Sequence, residues 1–185
     1  MMPEGVGPDG KVIAVSIDGK HRFSKVARPS VTLVAGHGIE GDAHYGPFVK
    51  HRYLARRNPR SPSLRQVHLM PSETLLVLRA AGYEVGPGEL GENITTAGLD
   101  LEGLALNAEL RIGASAHIRL TGLRTPCILI DRFRSALKAR LVSDEPGPPF
   151  KAGVMGVVIE SGDVSPGDVI RVDLPAPPHL LLPPL

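Results

Sequence analysis

The sequence has little sulfur and few aromatic side chains. It contains one cysteine, Cys127, and no tryptophan among its 185 residues, and aromatic residues make up only 4%. A single cysteine excludes an internal disulfide, a zinc site built on Cys-x-x-Cys pairs, and an iron–sulfur cluster held by several cysteines of this chain. The hydrophobic core must therefore consist mainly of Val, Leu, Ile and Ala.

Long apolar runs and a strong charge of one sign are also missing. No segment approaches the length needed to span a bilayer, and residues 1–11 are polar and rich in Gly and Pro, unlike an apolar signal core. The formal net charge of +2 does not by itself indicate a nucleic-acid-binding protein. We therefore expect a cytoplasmic protein that binds neither membranes nor nucleic acids.

Glycine and proline are abundant, with 21 and 18 copies. They divide the chain into short segments and frequent turns, which favours β structure. Strands are predicted at 11–17, 31–34, 65–70, 93–96, 109–112, 116–120, 154–160 and 168–172. Because helices do not alternate with these strands, the pattern argues against a doubly wound sheet and favours a mainly β fold, a closed barrel with a few peripheral helices.

Two helices are predicted beside the barrel. Ser72 is a candidate N-cap for a helix to Ala81 that Gly82 ends. Asp131 is a candidate cap for a second helix, whose apolar stripe is expected to pack in the core. The residues of that stripe recur every four positions: Phe133, Leu137 and Leu141.

The chain length suits one domain. We divide it into an N-terminal extension (1–10), a barrel domain (11–173) and a Pro/Leu-rich tail (174–185). An extended Pro-rich tail carrying three leucines would suit strapping onto an apolar groove. The tail contacts would be made with the barrel or with a second subunit, which leaves a homodimer open.

Basic residues are concentrated in a loop over 46–63 and its continuation to Arg65, and again over 132–140. Such runs are often solvated surface, but arginine is also well shaped for an anion such as phosphate.

Four histidines precede or enter the strand at 65–70: His37, His44, His51 and His68. Their spacing matches no zinc motif, so hydrogen bonds to the backbone compete with a metal-binding interpretation. His44 and Asp42 would lie on the same side of a strand and share a ligand.

Two further segments combine reactive or polar side chains. The segment Gly88-Glu89-Leu90-Gly91-Glu92-Asn93-Ile94-Thr95-Thr96 would orient a polar ligand, or form a bulged edge with its glutamates in water. In the other, Pro126 restricts the backbone before Cys127, and Arg124 would favour its thiolate. A lone cysteine is also a common inert core residue.

In combination, these motifs resemble the MOSC domain family, named after the C-terminal domain of molybdenum-cofactor sulfurases. The resemblance spans about residues 11–172. Its elements are Gly38-x-x-Gly41-Asp42-x-His44, Arg65-Gln66-Val67, Pro87-Gly88-x-x-Gly91-Glu92-Asn93-Ile94, Leu110-x-Ile112-Gly113 and Pro126-Cys127.

The resemblance implies a MOSC-type β-barrel and a molybdenum cofactor, a Mo-pyranopterin, with Cys127 as the protein ligand of the metal. It makes Asn93, Thr95 and Thr96 candidates to hold the pterin and places Asp42, His44 and Arg65 near the site. Arg124 is the further residue that we assign to cofactor binding. Asp42 and His44 are the candidate proton relay.

The implied activity is the reduction of N-hydroxylated small molecules, with electrons from an external donor protein. A sulfur carrier that holds a persulfide on Cys127 for a partner protein is the alternative, and a non-catalytic cofactor-binding protein is a third. A sulfurase needs a pyridoxal-phosphate domain with a Schiff-base lysine, and this chain is too short to contain one. The 46–63 loop also lengthens the usual gap between two of the family's motifs.

Overall fold

A mainly β fold is present, as predicted. The computed structural model describes residues 9–48, 56–58 and 60–185. Its strands are β1 (Gly10–Ile17), β2 (Val26–Arg28), β3 (Val31–Val34), β4 (Gly38–Ile39), β5 (Val67–Pro71), β6 (Ile94–Ala97), β7 (Glu109–Ile112), β8 (Ala116–Leu123), β9 (Val154–Glu160), β10 (Gly162–Val164) and β11 (Val169–Asp173). Two helices with fully described bounds are α1 (Ser72–Ala80) and α2 (Ile128–Phe133).

Seven strands close into a barrel in the order β11-β7-β8-β9-β5-β6-β1, because β1 also pairs with β11. The β5–β6 pair is parallel and the others are antiparallel. β2 extends the sheet beside β1, and β10, β3 and β4 form a second small sheet. Closure leaves the barrel strands without the exposed backbone edges of an open sheet.

The barrel interior is filled almost entirely by Val, Leu, Ile and Ala, as the composition predicts. Alternation produces this core: Leu110 and Ile112 of β7 are buried, whereas Arg111 between them is exposed. A second, smaller cluster packs α1 and α2 against the outer face of β5, through residues that include Met70, Leu78 and Ile130. The predicted strand at 65–70 is shorter than expected, since β5 begins at Val67.

The first helix differs from its prediction at the start and agrees at the end. Pro71 is the N-cap and Ser72 is already helical, with no side-chain capping bond, so the predicted Ser72 cap is wrong by one residue. Gly82 follows the helix with φ +91°. Its N–H donates to Arg79 and the N–H of Tyr83 donates to Leu78, the paired bonds of a Schellman end.

The second helix is not the one predicted. α2 begins immediately after Cys127, so Asp131 lies inside it instead of capping it. The backbone leaves the helix at Arg134, reaches φ +61° at Ala136 and resumes as a 3-10 turn over Lys138–Leu141. Asp131 accepts from the backbone N–H of Lys138 at 2.8 Å and so bridges the break. Core packing of the predicted stripe is nevertheless confirmed, since Leu137 and Leu141 are fully buried and Phe133 is partly buried beside them.

The tail runs along the barrel as an extended strap. The N–H of Leu106 donates to Leu180, the N–H of Leu123 to Pro183, and the N–H of Thr125 to Leu185. Leu182 is buried in the barrel core, at 4% exposure, whereas Leu180 and Leu181 are exposed, so the predicted strap is present but only one of its three leucines anchors it. Among the described residues there is no helix with the length and hydropathy to cross a membrane.

Leu182→Ala should lower the free energy of unfolding by about 2–3 kcal/mol, because it removes buried methyl groups that anchor the strap. The neighbouring Leu181→Ala is the matched control. Leu181 is 75% exposed, so its loss should cost less than about 0.5 kcal/mol. Urea unfolding of both variants measures the difference, and equal effects would show that the tail is not anchored as described.

Candidate functional site

Cys127 lies at a point where the backbone is held from two sides. The chain leaves β8 at Leu123, and the N–H of Arg124 donates to Gly153 beside β9 at 3.0 Å. On the other side, the N–H of Thr125 donates to Leu185 of the tail at 3.2 Å. Pro126 then leads to Cys127, the N-cap residue of α2, whose side chain is partly exposed.

Two arginines, Arg65 and Arg124, interact electrostatically with Cys127. Burial lowers the pKa of each guanidinium, and the electrostatic interaction with the Cys127 sulfur opposes that shift in both. The two arginines come from distant parts of the chain, since Arg65 precedes β5 and Arg124 follows β8. Positive charge around a sulfur suits a thiolate, an anionic ligand or a metal bound through the thiolate.

The guanidinium of Arg124 is buried without full hydrogen bonding. Its Nη1 atom has no partner among the residues that the structure describes. The Arg124 Cζ atom lies 5.8 Å from the centre of the Phe23 ring. An aromatic ring carries no formal negative charge, so it does not neutralise the guanidinium. A buried cationic donor of this kind loses hydration without full compensation, so the position is complementary to an anion.

Asp42 forms the centre of a neighbouring network. Its carboxylate pairs with the Lys25 ammonium at 2.5 Å and accepts from Asn93 Nδ2 at 3.3 Å and from the His44 N–H at 3.1 Å. Burial raises the pKa of Asp42, but the hydrogen bonds from His44 and the Lys25 charge outweigh it and hold the pKa well below its usual value. The N–H of Asp18 also donates to this carboxylate.

His44 is the accessible member of this network. Its side chain is 43% exposed and its Nδ1 lies 3.4 Å from Asp42 Oδ2. The predicted proximity of Asp42 and His44 is therefore present, although both occupy a turn instead of a strand. A titratable ring that contacts solvent on one side and a carboxylate on the other is suited to passing protons.

Asn93 uses its side chain within the protein. Oδ1 accepts from the N–H of His68 at 3.1 Å, and Nδ2 donates to Ser16 and to Asp42. The Thr95 hydroxyl donates to Glu92 Oε1, and the Thr96 hydroxyl is fully buried with no described partner. These bonds tie β1, β5 and the Asp42 turn together, so they favour a positioning role, and direct contact with a pterin stays a prediction.

Sequence reasoning missed Lys25. It placed Glu92 in a segment that would orient a polar ligand or have its glutamates in water, and the water-facing alternative is wrong for Glu92, which is fully buried. Nothing local marks Lys25, which reaches Asp42 only through the fold. Burial, followed by the charge of Arg124, lowers the pKa of His68 to about 3, so the ring is neutral at physiological pH. Its Nε2 lies 2.8 Å from the Ala152 carbonyl, the backbone hydrogen bond that was the alternative to metal binding.

The described residues include no group of three or more His, Cys, Asp and Glu side chains that could hold a metal ion. Zinc binding by the histidines is therefore unsupported for His37, His44 and His68, whereas His51 lies outside the described residues. In the basic loop that was predicted to bind an anion such as phosphate, Lys50 and Arg52 also lie outside the described residues. Arg56, Arg57 and Arg60 are exposed. Of this basic stretch, Arg65 is the residue with a described interaction at Cys127.

Two surface depressions lie away from this cluster. One, of about 390 Å³, is lined mainly by polar and acidic side chains that include Glu73, Asp100 and Glu102. The other, of about 520 Å³, lies beside Arg119 and Asp173. Neither is lined by Cys127 or its arginines, so the chemistry of the residues, not cavity size, identifies the candidate site.

Asp42→Asn should lower the free energy of unfolding at pH 7 by about 3 kcal/mol, because the buried Lys25 ammonium loses its counter-ion. The contribution of Asp42 is fully present above the ordinary aspartate pKa of 3.8 and is lost as the pH falls toward its depressed folded-state pKa. Urea unfolding between pH 3 and 7 should therefore show the parent and the variant converging in acid.

Asp173→Asn is the control for this measurement. Asp173 pairs with Arg111 on the surface at 2.6 Å, and such exposed pairs contribute about 1 kcal/mol or less. An Asp42→Asn penalty no larger than that of the control would show that the Asp42 network is not the buried charge centre described above.

Comparison with known proteins identifies the family and the fold. The sequence profile of the MOSC domain matches residues 40–171. The YUAD protein of Bacillus subtilis is similar in structure over 92% of this chain and 100% of its own, with a TM-score of 0.77 and 21% identity. YiiM of Geobacillus stearothermophilus is similar over 93% and 79%, with a TM-score of 0.65 and 17% identity.

YiiM of Escherichia coli covers 92% of this chain and 73% of its own, with a TM-score of 0.59 and 19% identity. These identities are too low to transfer function, and they show a shared fold. The comparison with curated proteins returns no match. The profile match covers more than half of the chain and includes Asp42, Arg65, Asn93 and Cys127, so the chain belongs to the MOSC domain family, whose members can bind the molybdenum cofactor.

Proposed function

We propose that the chain binds a Mo-pyranopterin cofactor through Cys127 and reduces N-hydroxylated compounds with electrons from an external donor. The observation that carries the proposal is the partly exposed thiol within electrostatic range of Arg65 and Arg124, together with the buried Arg124 Nη1 atom, which has no hydrogen-bond partner among the described residues. A single cysteine thiolate is the protein ligand expected for molybdenum in this cofactor, because the pterin itself supplies two further sulfur ligands.

The charges of the buried cluster fit an anionic group. Asp42 neutralises Lys25, whereas the cations Arg65 and Arg124 form no salt bridge with a carboxylate among the described residues, and burial raises the pKa of the neighbouring acid Glu92. A Cys127 thiolate or the phosphate of a pterin cofactor would offset the remaining positive charge. The same excess would be costly in a site that took a cationic or purely apolar ligand.

The chain's own residues would perform three tasks in the reaction. Cys127 Sγ would ligate the metal, and Arg65 and Arg124 would hold anionic groups of the cofactor. The bound cofactor would supply the metal, two dithiolene sulfurs and the electron pair. His44, which is exposed and hydrogen-bonded by Asp42, would deliver protons. With two electrons and two protons, the N–OH group of the substrate would become N–H, and its oxygen would be released as water. The reduced thiol that this role needs agrees with the proposed cytoplasmic location.

A sulfur carrier is the second candidate, and one observation favours it. Ile128 and Leu129, which directly follow Cys127, are 57% and 42% exposed and would offer a protein partner apolar contacts next to the sulfur. The two arginines would stabilise a persulfide anion as they would a metal-bound thiolate.

One experiment separates these candidates. The parent and Cys127→Ser are produced in a cofactor-competent host supplied with molybdate, and molybdenum, pterin and sulfane sulfur are measured per chain. We expect about one molybdenum in the parent, and reduction of an amidoxime when a reduced viologen is supplied. Cys127→Ser should keep the parent's melting temperature within a few degrees and lose nearly all activity, because a hydroxyl is a poor soft-metal ligand. A molybdenum-free parent with labile sulfane sulfur supports the carrier, and a molybdenum-loaded but inactive parent supports cofactor binding alone.

The requirement for an external donor gives a separate prediction. The sequence has no haem-attachment motif, no set of cluster-binding cysteines and no dinucleotide fingerprint. Molybdenum-loaded protein mixed with NADH and an amidoxime should therefore produce no amidine, whereas the same protein with reduced viologen should. Turnover with NADH alone would contradict the assignment of the electron source to a separate protein.

A further inference from the structure

The tail forms backbone hydrogen bonds with the end of β8. The N–H of Leu123 donates to Pro183 at 2.8 Å, and the N–H of Leu185 donates back to Leu123 at 2.9 Å. The N–H of Thr125 donates to Leu185 at 3.2 Å. The tail thus accompanies the chain beyond the last residue of the strand, to within two residues of Cys127.

The sheet gives way to the tail as the support of the chain before Cys127. The N–H of Arg124 donates to Gly153, the residue before β9, at 3.0 Å. The N–H of the next residue, Thr125, donates to the tail instead, and Pro126 has no N–H to donate. Among the described backbone bonds on the strand side, the bond to the tail is therefore the one nearest to Cys127.

On the helix side, Cys127 holds the first turn of α2. It is the N-cap residue, and its carbonyl accepts from the N–H of Ile130 at 3.1 Å. The Ile130 side chain is fully buried in the smaller apolar cluster. The tail bond at Thr125 and the helix bond at Ile130 thus lie on opposite sides of Cys127, and the backbone that joins them runs through it.

Gly122 and Leu182 keep the tail close to β8. A Cβ at position 122 would lie 2.5 Å from the Pro183 carbonyl oxygen and 2.5 Å from Leu185 Cγ, so a larger residue there would displace the tail. Leu182 anchors the same stretch in the barrel core, whereas the two preceding leucines are exposed. The matched family profile ends at residue 171, so these contacts lie outside it.

We propose that the tail is a positioning strap of the site, whose hydrogen bonds to Leu123 and Thr125 fix the backbone that carries Cys127. Detachment of the strap loosens the chain through Cys127 and, with it, the first turn of α2. Because a single buried leucine anchors the strap, its detachment requires less free energy than global unfolding. The inference rests on the proposed function only in treating Cys127 as the site, and the strap acts without a bound cofactor.

Residue-resolved amide hydrogen exchange of the full chain tests the strap. The protein is produced in a host that lacks molybdopterin synthesis, so the result does not depend on cofactor binding. Gly122→Ala places a methyl group against Pro183 and should make exchange at Thr125 about ten-fold faster. Exchange at Ile130 should also rise, by about three-fold or more, because its acceptor is the Cys127 carbonyl.

Val172→Ala is the control for general destabilisation. It removes buried methyl groups from β11, which pairs with β1 and β7, and should lower the free energy of unfolding. Exchange at Thr125 and Ile130 should nevertheless stay within about two-fold of the parent, since amides that exchange through local opening do not follow global stability.

A second pair of variants releases the strap without a change in β8. Leu182→Ala removes the anchor and should accelerate exchange at both Thr125 and Ile130, whereas Leu181→Ala, at an exposed position, should leave both unchanged. This pair decides the question if Gly122→Ala does not fold.

The Ile130 amide separates positioning from simple attachment. Faster exchange at Thr125 with unchanged exchange at Ile130 would show that the tail binds β8 without positioning Cys127, and it would overturn the proposal. Unchanged exchange at both amides, or an equal acceleration in Val172→Ala, overturns it as well. A failed strap would leave molybdenum binding open, and a parent without molybdenum would leave this measurement unaffected.

Discussion

Burial of the Arg124 guanidinium beside a thiol is the constraint on which the site depends. A cation taken out of water needs compensating charge or hydrogen-bond acceptors, and the described surroundings of Arg124 include the Phe23 ring and the electrostatic interaction with the Cys127 sulfur. The backbone makes this arrangement rigid. The segment from Leu123 to Thr125 is hydrogen-bonded to the residue before β9 on one side and to the tail on the other, so Arg124 and Cys127 are presented at fixed positions.

Residues far apart in sequence meet because the barrel closes. Asp42 and Asn93 are 51 positions apart, yet Asn93 Nδ2 contacts the Asp42 carboxylate and the Ser16 carbonyl. Arg65 reaches the electrostatic range of Cys127 because β5 and β8 both pair with β9. The motif residues thus form two described groups: Asp42 and Asn93 lie in one hydrogen-bonded network, and Arg65 lies within electrostatic range of Cys127.

Much of the fold was predictable because alternation is a local property. The pattern of Leu110 and Ile112 around Arg111 identifies β7 without any tertiary information. Local patterns did not reveal the pairing of β1 with β11, which closes the barrel, or the break at Ala136, where the predicted stripe continues through a non-helical backbone. At the site, the Pro-Cys element was recognisable in the sequence, whereas the Lys25 partner of Asp42 was not, since nothing near Lys25 signals burial.

The central claim is that Cys127 Sγ is a ligand of molybdenum. X-ray absorption at the molybdenum edge tests it most directly, because it counts sulfur neighbours without relying on turnover. In Cys127→Ser loaded with molybdenum, in which the proposed contacts of Arg65 and Arg124 would still hold the cofactor, the count should be one sulfur lower than in the parent. An unchanged sulfur count in the loaded variant would show that Cys127 is not a ligand and would contradict this account.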